Sequence, residues 1–142
     1  MSIEMNEQLL QQWVNEGWNN GNLSLVDQIF SPDHIMHESS LPGQKLVGPE
    51  PFKSFVSTLR TALPDLRVTV QDVVAQGDKI AWRWTITGTQ NGEVMGVPPS
   101  GNPVEVTGII ISRFESGLWV EDYVSWDVLG FLQQIGALPK MG

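Results

Sequence analysis

The spacing of apolar residues changes once along this chain, near Pro64, and that change constrains the fold more than any other feature. Before it, apolar residues recur every three or four positions. Leu9, Leu10, Trp13, Val14 and Trp18 predict an amphipathic helix over 6–19, and NNGN (19–22) stops it, with Gly21 suited to a left-handed end. Leu25, Val26, Ile29 and Phe30 mark one face of a short second helix. Ser24 and Asp27 open it in a capping-box-like pattern and Pro32 ends it. DHIMHES (33–39) reads as a short strand and LPGQKLVGPEP (41–51) as a loop. Phe52, Phe55, Val56, Leu59 and Leu63 form the stripe of a third helix, with Pro51 in its first turn.

After Pro64 the period is two. LRVTVQDVVA (66–75), KIAWRWTITGT (79–89), VEVTGIIISRF (104–114) and LWVEDYVSW (118–126) are β-rich runs. QGD (76–78) and ESG (115–117) are short enough to be hairpin connectors. DVLGFLQQIG (127–136) returns to helix, with Asp127 placed to accept a backbone N–H of its first turn. Helices, then an antiparallel sheet, then a short helix make an α+β layout with the helices on one sheet face. The 142 residues are read as one domain, 1–142, without repeat or linker. A chain of that size buries roughly 70% of its unfolded surface, enough for a core without staples.

Composition narrows the partners. Sixteen acids against eight bases give a net charge of −8, a field that repels phosphate backbones and anionic membranes. Nucleic acid and membrane are therefore not expected. There is no cysteine, hence no disulfide or thiolate chemistry, in keeping with a reducing cytoplasm. The start MSIEMNEQLL has neither a basic n-region nor an apolar run, so no signal peptide is read. Charged residues are only 17%, yet six of the 142 residues are tryptophan, which points to extra apolar surface for a cavity or a subunit contact.

Several strings resemble the SnoaL-like polyketide cyclases of the nuclear-transport-factor-2-like superfamily. They are WNNGNLSLVDQIFSPDHIMHE (18–38), GPEPFKSFVSTLRTALPDLRVTV (48–70), RWTITGTQNGEVMGVPPSG (83–101) and WDVLGFLQQIG (126–136). The resemblance implies a cone, in which a curved sheet wraps against three helices around a pocket, often as a homodimer through the outer sheet face. It implies ring closure by aldol condensation without metal or cofactor, a pocket Asp acting as acid and base beside a pocket His. Aligned without gaps, that Asp falls at Val124 and that His at Ile110, both aliphatic here.

The alignment points Val124 into the pocket, and alternation carries Val120, Asp122 and Trp126 with it. Trp119, Glu121, Tyr123 and Ser125 take the other face. Asp122, a carboxylate among Val and Trp, is the expected catalytic acid. His37 is its expected partner, in a segment where this family often has a cavity His. His34, three residues away and on the opposite face, is expected to be exposed; the two are no metal pair, and neither metal nor cofactor is expected. Trp82 and Trp84 share an apolar face with Ile80 and Ile86, continued by Val104, Val106, Ile110 and Phe114. Trp13, Trp82, Trp84, Ile110, Val124 and Trp126 are the expected substrate-binding residues. GVPPSGNP (96–103), without a basic residue, reads as a shaped edge of the pocket mouth.

Two functions fit. One is a cofactor-free cyclase or isomerase working by acid/base chemistry on an apolar, polyketide- or terpenoid-like substrate. The other is a non-catalytic binding domain for a small apolar molecule. A subunit role in a larger assembly is a third. The single Tyr, Tyr123, is predicted to face away from the cavity, which argues against a close copy of a ketosteroid-isomerase or epoxide-hydrolase site.

Overall fold

The computed structural model describes residues 2–38 and 45–139; the end of the 33–39 run and the start of the 41–51 loop lie outside them. In chain order the elements are α1 (Ile3–Gln12), a π-helical turn (Trp13–Trp18), a 3-10 turn (Leu23–Leu25), α2 (Val26–Ile29), β1 (Phe30–Glu38), β2 (Lys45–Val47), α3 (Pro49–Ala62), β3 (Arg67–Gln76), β4 (Lys79–Thr89), β5 (Pro103–Glu115), β6 (Leu118–Trp126) and α4 (Val128–Gln134). The helices pack on one face of a curved, open six-stranded sheet of order β2-β1-β6-β5-β4-β3. All neighbours are antiparallel except β1 and β6, which run parallel.

The change of period is where the architecture changes. The four alternating runs become β3 to β6, each burying its apolar face. Two-residue turns join β3 to β4 and β5 to β6. In the second, Ser116 (φ 52°) and Gly117 (φ 82°) both take left-handed backbone, as right-twisted hairpins require. Asp127 caps α4, its Oδ1 accepting the Gly130 N–H at 2.9 Å.

Four local expectations are corrected. The first helix is not α-helical to its end, because it loosens into the π turn at Trp13–Trp18. Ser24 does not cap a helix; its hydroxyl donates to Asn22 Oδ1, while Asp27 pairs with Lys53. Pro32 lies inside β1, which starts at Phe30 and breaks register with β6 between Phe30 and Ile35. The presumed loop contains β2, which pairs with β1.

The core lies between helices and sheet. Trp13 packs edge-on to Phe30 at 5.2 Å and against Phe52 at 5.5 Å, and Phe30 stacks on Trp119 at 4.7 Å. Such pairs add about 0.5–1.5 kcal/mol each beyond burial alone. Among the described residues no helix is long and apolar enough to cross a membrane.

Candidate functional site

The inner faces of β4, β5 and β6 close with α3 and α4 around a cavity of ≈ 60 Å³. Its wall includes Trp82, Trp84, Ile110, Val124 and Trp126, joined by Trp18 and Phe55 from the helices. The residues reach it by strand register. Trp84 faces Gly108, which faces Trp126; Trp82 faces Ile110, which faces Val124. All five are residues that the sequence singled out for ligand contact. The sixth, Trp13, is not in the wall; the π turn directs it into the Phe30 and Phe52 cluster instead. The 96–103 segment contributes no wall residue. It is organised by buried Gln90, whose amide donates to the carbonyls of Gly92 and Pro98 while its Oε1 accepts from Ser100 N–H.

One inward step further along the same two strands stands a polar pair, Asp122 of β6 opposite Ser112 of β5. Asp122 is 4% exposed and Ser112 fully buried. Asp122 Oδ1 accepts from Ser112 Oγ at 2.6 Å and from Trp119 Nε1 at 2.8 Å. Ser112 Oγ in turn accepts from Trp82 Nε1 at 3.0 Å. An indole can only donate, so these directions are fixed. The other carboxyl oxygen, Oδ2, faces His34 Nε2 at 2.8 Å. His34 is fully buried and its Nδ1 has no partner among the described residues. Asp122 and His34 thus form a buried hydrogen-bonded pair one inward position along β6 from Val124, outside the residues that line the cavity.

This overturns three expectations. His34 is buried, not exposed, because it shares the inward parity of Met36 and Glu38. His37 is on the opposite face of β1, away from the cavity. It stacks on Tyr123 at 4.2 Å and its Nε2 lies 2.8 Å from Glu121 Oε2. Trp119 faces in with Asp122, because the β5–β6 pairing slips between Arg113 and Phe114 and leaves Val120 as an extra residue. Glu121 does face out. There His37, and then Arg113, hold its carboxyl below the usual carboxylate range.

The alternation of β5 placed Ser112 inward with Val106 and Ile110, so the sequence contained that signal. Glu38 is a further buried acid on the inner side of β1, with Oε1 accepting Trp126 Nε1 at 2.6 Å.

The model of the SnoaL-like polyketide cyclases matches residues 8–135. The chain belongs to this SnoaL-like family. Solved structures agree over nearly the whole length. TsrD from Streptomyces laurentii is 28% identical, with a TM-score of 0.86 over 97% of this chain and 99% of that one. A protein assigned as a SnoaL-like polyketide cyclase from Jannaschia sp. CCS1 is 26% identical, with a TM-score of 0.87 and 98% of both chains covered. IdmH from Streptomyces antibioticus, assigned as a polyketide cyclase, is 31% identical, with a TM-score of 0.79 over 92% of this chain and 97% of that one. A comparison with curated proteins finds no match. The two positions where the SnoaL-like alignment expects an acid and a histidine, Val124 and Ile110, are cross-strand partners in the cavity wall. Two residues away on each strand, Asp122 and Ser112 are likewise cross-strand partners, and both are buried.

Proposed function

We propose that this SnoaL-like protein is a cyclase or isomerase for an apolar, polyketide-like substrate, with Asp122 as its proton carrier and His34 holding the carboxyl group in place. The observation that carries the reading is the buried Asp122–His34 contact of 2.8 Å, one inward position along β6 from Val124 of the apolar cavity wall. In an aldol closure, Asp122 removes a proton next to one carbonyl, and the resulting carbanion attacks a second carbonyl of the same molecule. The proton then returns to the new alkoxide, so the sequence balances without a co-reactant. The apolar wall excludes water, which would otherwise quench the carbanion. A space of ≈ 60 Å³ is smaller than a ring system, so entry requires wall side chains to move, and Trp82 is the wall residue tied to the polar group through Ser112. His37, on the outer face, is dropped from the chemistry.

The test is turnover of aromatic polyketide intermediates bearing an uncyclised β-keto chain. Asp122→Asn is expected to lower kcat at least ~100-fold, the usual scale of a lost general base, with binding retained. Undiminished turnover would overturn the assignment.

A second reading, a non-catalytic binder of small apolar molecules, is favoured by one observation: Asp122 is already engaged by Ser112, Trp119 and His34 and does not itself line the cavity. Binding without turnover in wild type would establish it. We also propose a cytoplasmic homodimer through the outer sheet face, where Ile109, Ile111 and Tyr123 lie exposed on adjacent strands. Light scattering would then give twice the 15.7 kDa chain mass, reduced to one by Ile111→Asp.

A further inference from the structure

The indole N–H groups of the cavity wall are not equivalent. Trp82 donates to Ser112 Oγ at 3.0 Å and Trp126 to Glu38 Oε1 at 2.6 Å. Trp84 Nε1 is buried and has no acceptor among the described residues, in a side chain only 6% exposed. An N–H in that position has lost its hydration with nothing in exchange, an arrangement folded proteins rarely keep without a use for it.

The surroundings exclude simple substitutes. Apart from its indoles, the wall is aliphatic or phenylalanine, so no wall side chain offers an acceptor. A lone water is poorly held there, since buried waters need two to four polar partners. The ring itself has a prepared seat. Gly108 lies directly opposite Trp84 on β5, and a Cβ at that position would stand 2.4 Å from the indole Cζ2 and 2.8 Å from Cε2. Cε2 carries Nε1, so the glycine is what makes room for the N–H edge of the indole over β5.

We propose that Trp84 is the ligand-orienting residue of the cavity, its indole N–H taking one acceptor oxygen of an otherwise apolar ligand: a ketone, quinone or ether oxygen on a ring skeleton. This rests on the cavity being the ligand site of the preceding section but not on turnover there. Trp84 faces Gly108 while Asp122 faces Ser112, four residues along β5, a separation of about 13 Å at ~3.3 Å per residue. An oxygen bound at Trp84 anchors one end of the ligand and directs the other toward Asp122. The wall then selects ligands that carry an acceptor at the anchored end and rejects those that bring a second polar group against the aliphatic residues.

The test compares two probes of one skeleton, α-tetralone, which carries a single carbonyl, and tetralin, which carries none. In wild type the ketone is expected to bind about tenfold more tightly, the size of one net hydrogen bond. Trp84→Phe, which removes the pyrrole ring with its N–H, is expected to abolish that preference, read as the ratio of the two dissociation constants within the variant so that the space left by the smaller ring affects both probes alike. In ¹⁵N-labelled wild type, the indole resonance absent from Trp84→Phe is expected to move downfield with the ketone and not with tetralin. If the variant does not fold, the wild-type spectrum decides: an indole resonance that moves only with the ketone supports the proposal. An equal preference in the variant, unmoved indole resonances at saturation, or no saturable binding of the ketone overturns it. Ketone preference without ring closure removes the catalytic reading and leaves this one; ring closure without ketone preference does the reverse.

Discussion

Asp122 owes its place to buried hydrogen-bond partners. Ser112 Oγ and Trp119 Nε1 donate to its Oδ1, and Ser112 is itself held by the Trp82 indole. Asp122→Ala would leave the buried Ser112 hydroxyl, Trp119 N–H and His34 Nε2 without their shared partner, so a loss of about 3–5 kcal/mol is expected in urea unfolding. Asp122→Asn should lose much less, because its amide oxygen still accepts from Ser112 and Trp119 while its NH₂ meets the other tautomer of His34. Equal losses would mean that packing, not hydrogen bonding, dominates. Asp122 was legible in the sequence as an acid inside an apolar alternation. His34 was not, because a histidine between Asp33 and Ile35 has no local mark of burial. Its signal was its shared parity with Met36, which needs the register of β1 against β6 to be decisive.

The elements depart from ideal geometry where they meet the cavity. The π turn at Trp13–Trp18 inserts an extra residue into the helical phase, which sends Trp13 to the Phe30 cluster and Trp18 to the cavity wall. Gly17 makes this possible, since a Cβ there would fall 2.0 Å from the Trp13 ring. Gly17→Ala is therefore expected to destabilise by roughly 1–3 kcal/mol, the range for overpacking, and to raise probe dissociation constants by displacing Trp18. Unchanged stability and affinity would show that the turn relaxes freely. At the other end of the chain, Asp127→Ala should cost about 0.5–2 kcal/mol and spare ligand binding, since this carboxylate serves only as a helix cap. Apart from β2 and the start of β1 at Phe30, strands, helices and hairpin turns were readable from period and punctuation. The π turn and the extra residue at Val120 were not, because both are set by what the side chains meet across the core. A strict period-two reading consequently placed Trp119 on the wrong face.

At the scale of the molecule, the acid balance that makes nucleic acid an unexpected partner also shapes the pH response. With a net charge of −8, mild acidification relieves self-repulsion. Against that works the outer-face cluster of His37, Glu121, Arg113 and Glu115, with Tyr123 stacked on His37. Glu121 is held below its reference value of 4.5 first by His37 and then by Arg113. Asp65 is held below 3.8 by the backbone N–H and hydroxyl of Thr89. A carboxylate with a lowered folded value stabilises the fold fully above its unfolded value and loses that contribution as pH falls through the folded one. Stability should therefore pass through a maximum and then fall below about pH 4.5. Urea midpoints of wild type and Glu121→Gln measured from about pH 7 to pH 3 test the assignment. The gap between them is expected to be full at neutral pH and to close in acid, where wild type has also lost the charge. A gap that stays constant would mean that Glu121 contributes through packing alone, and one that widens would reverse the sign of its shift.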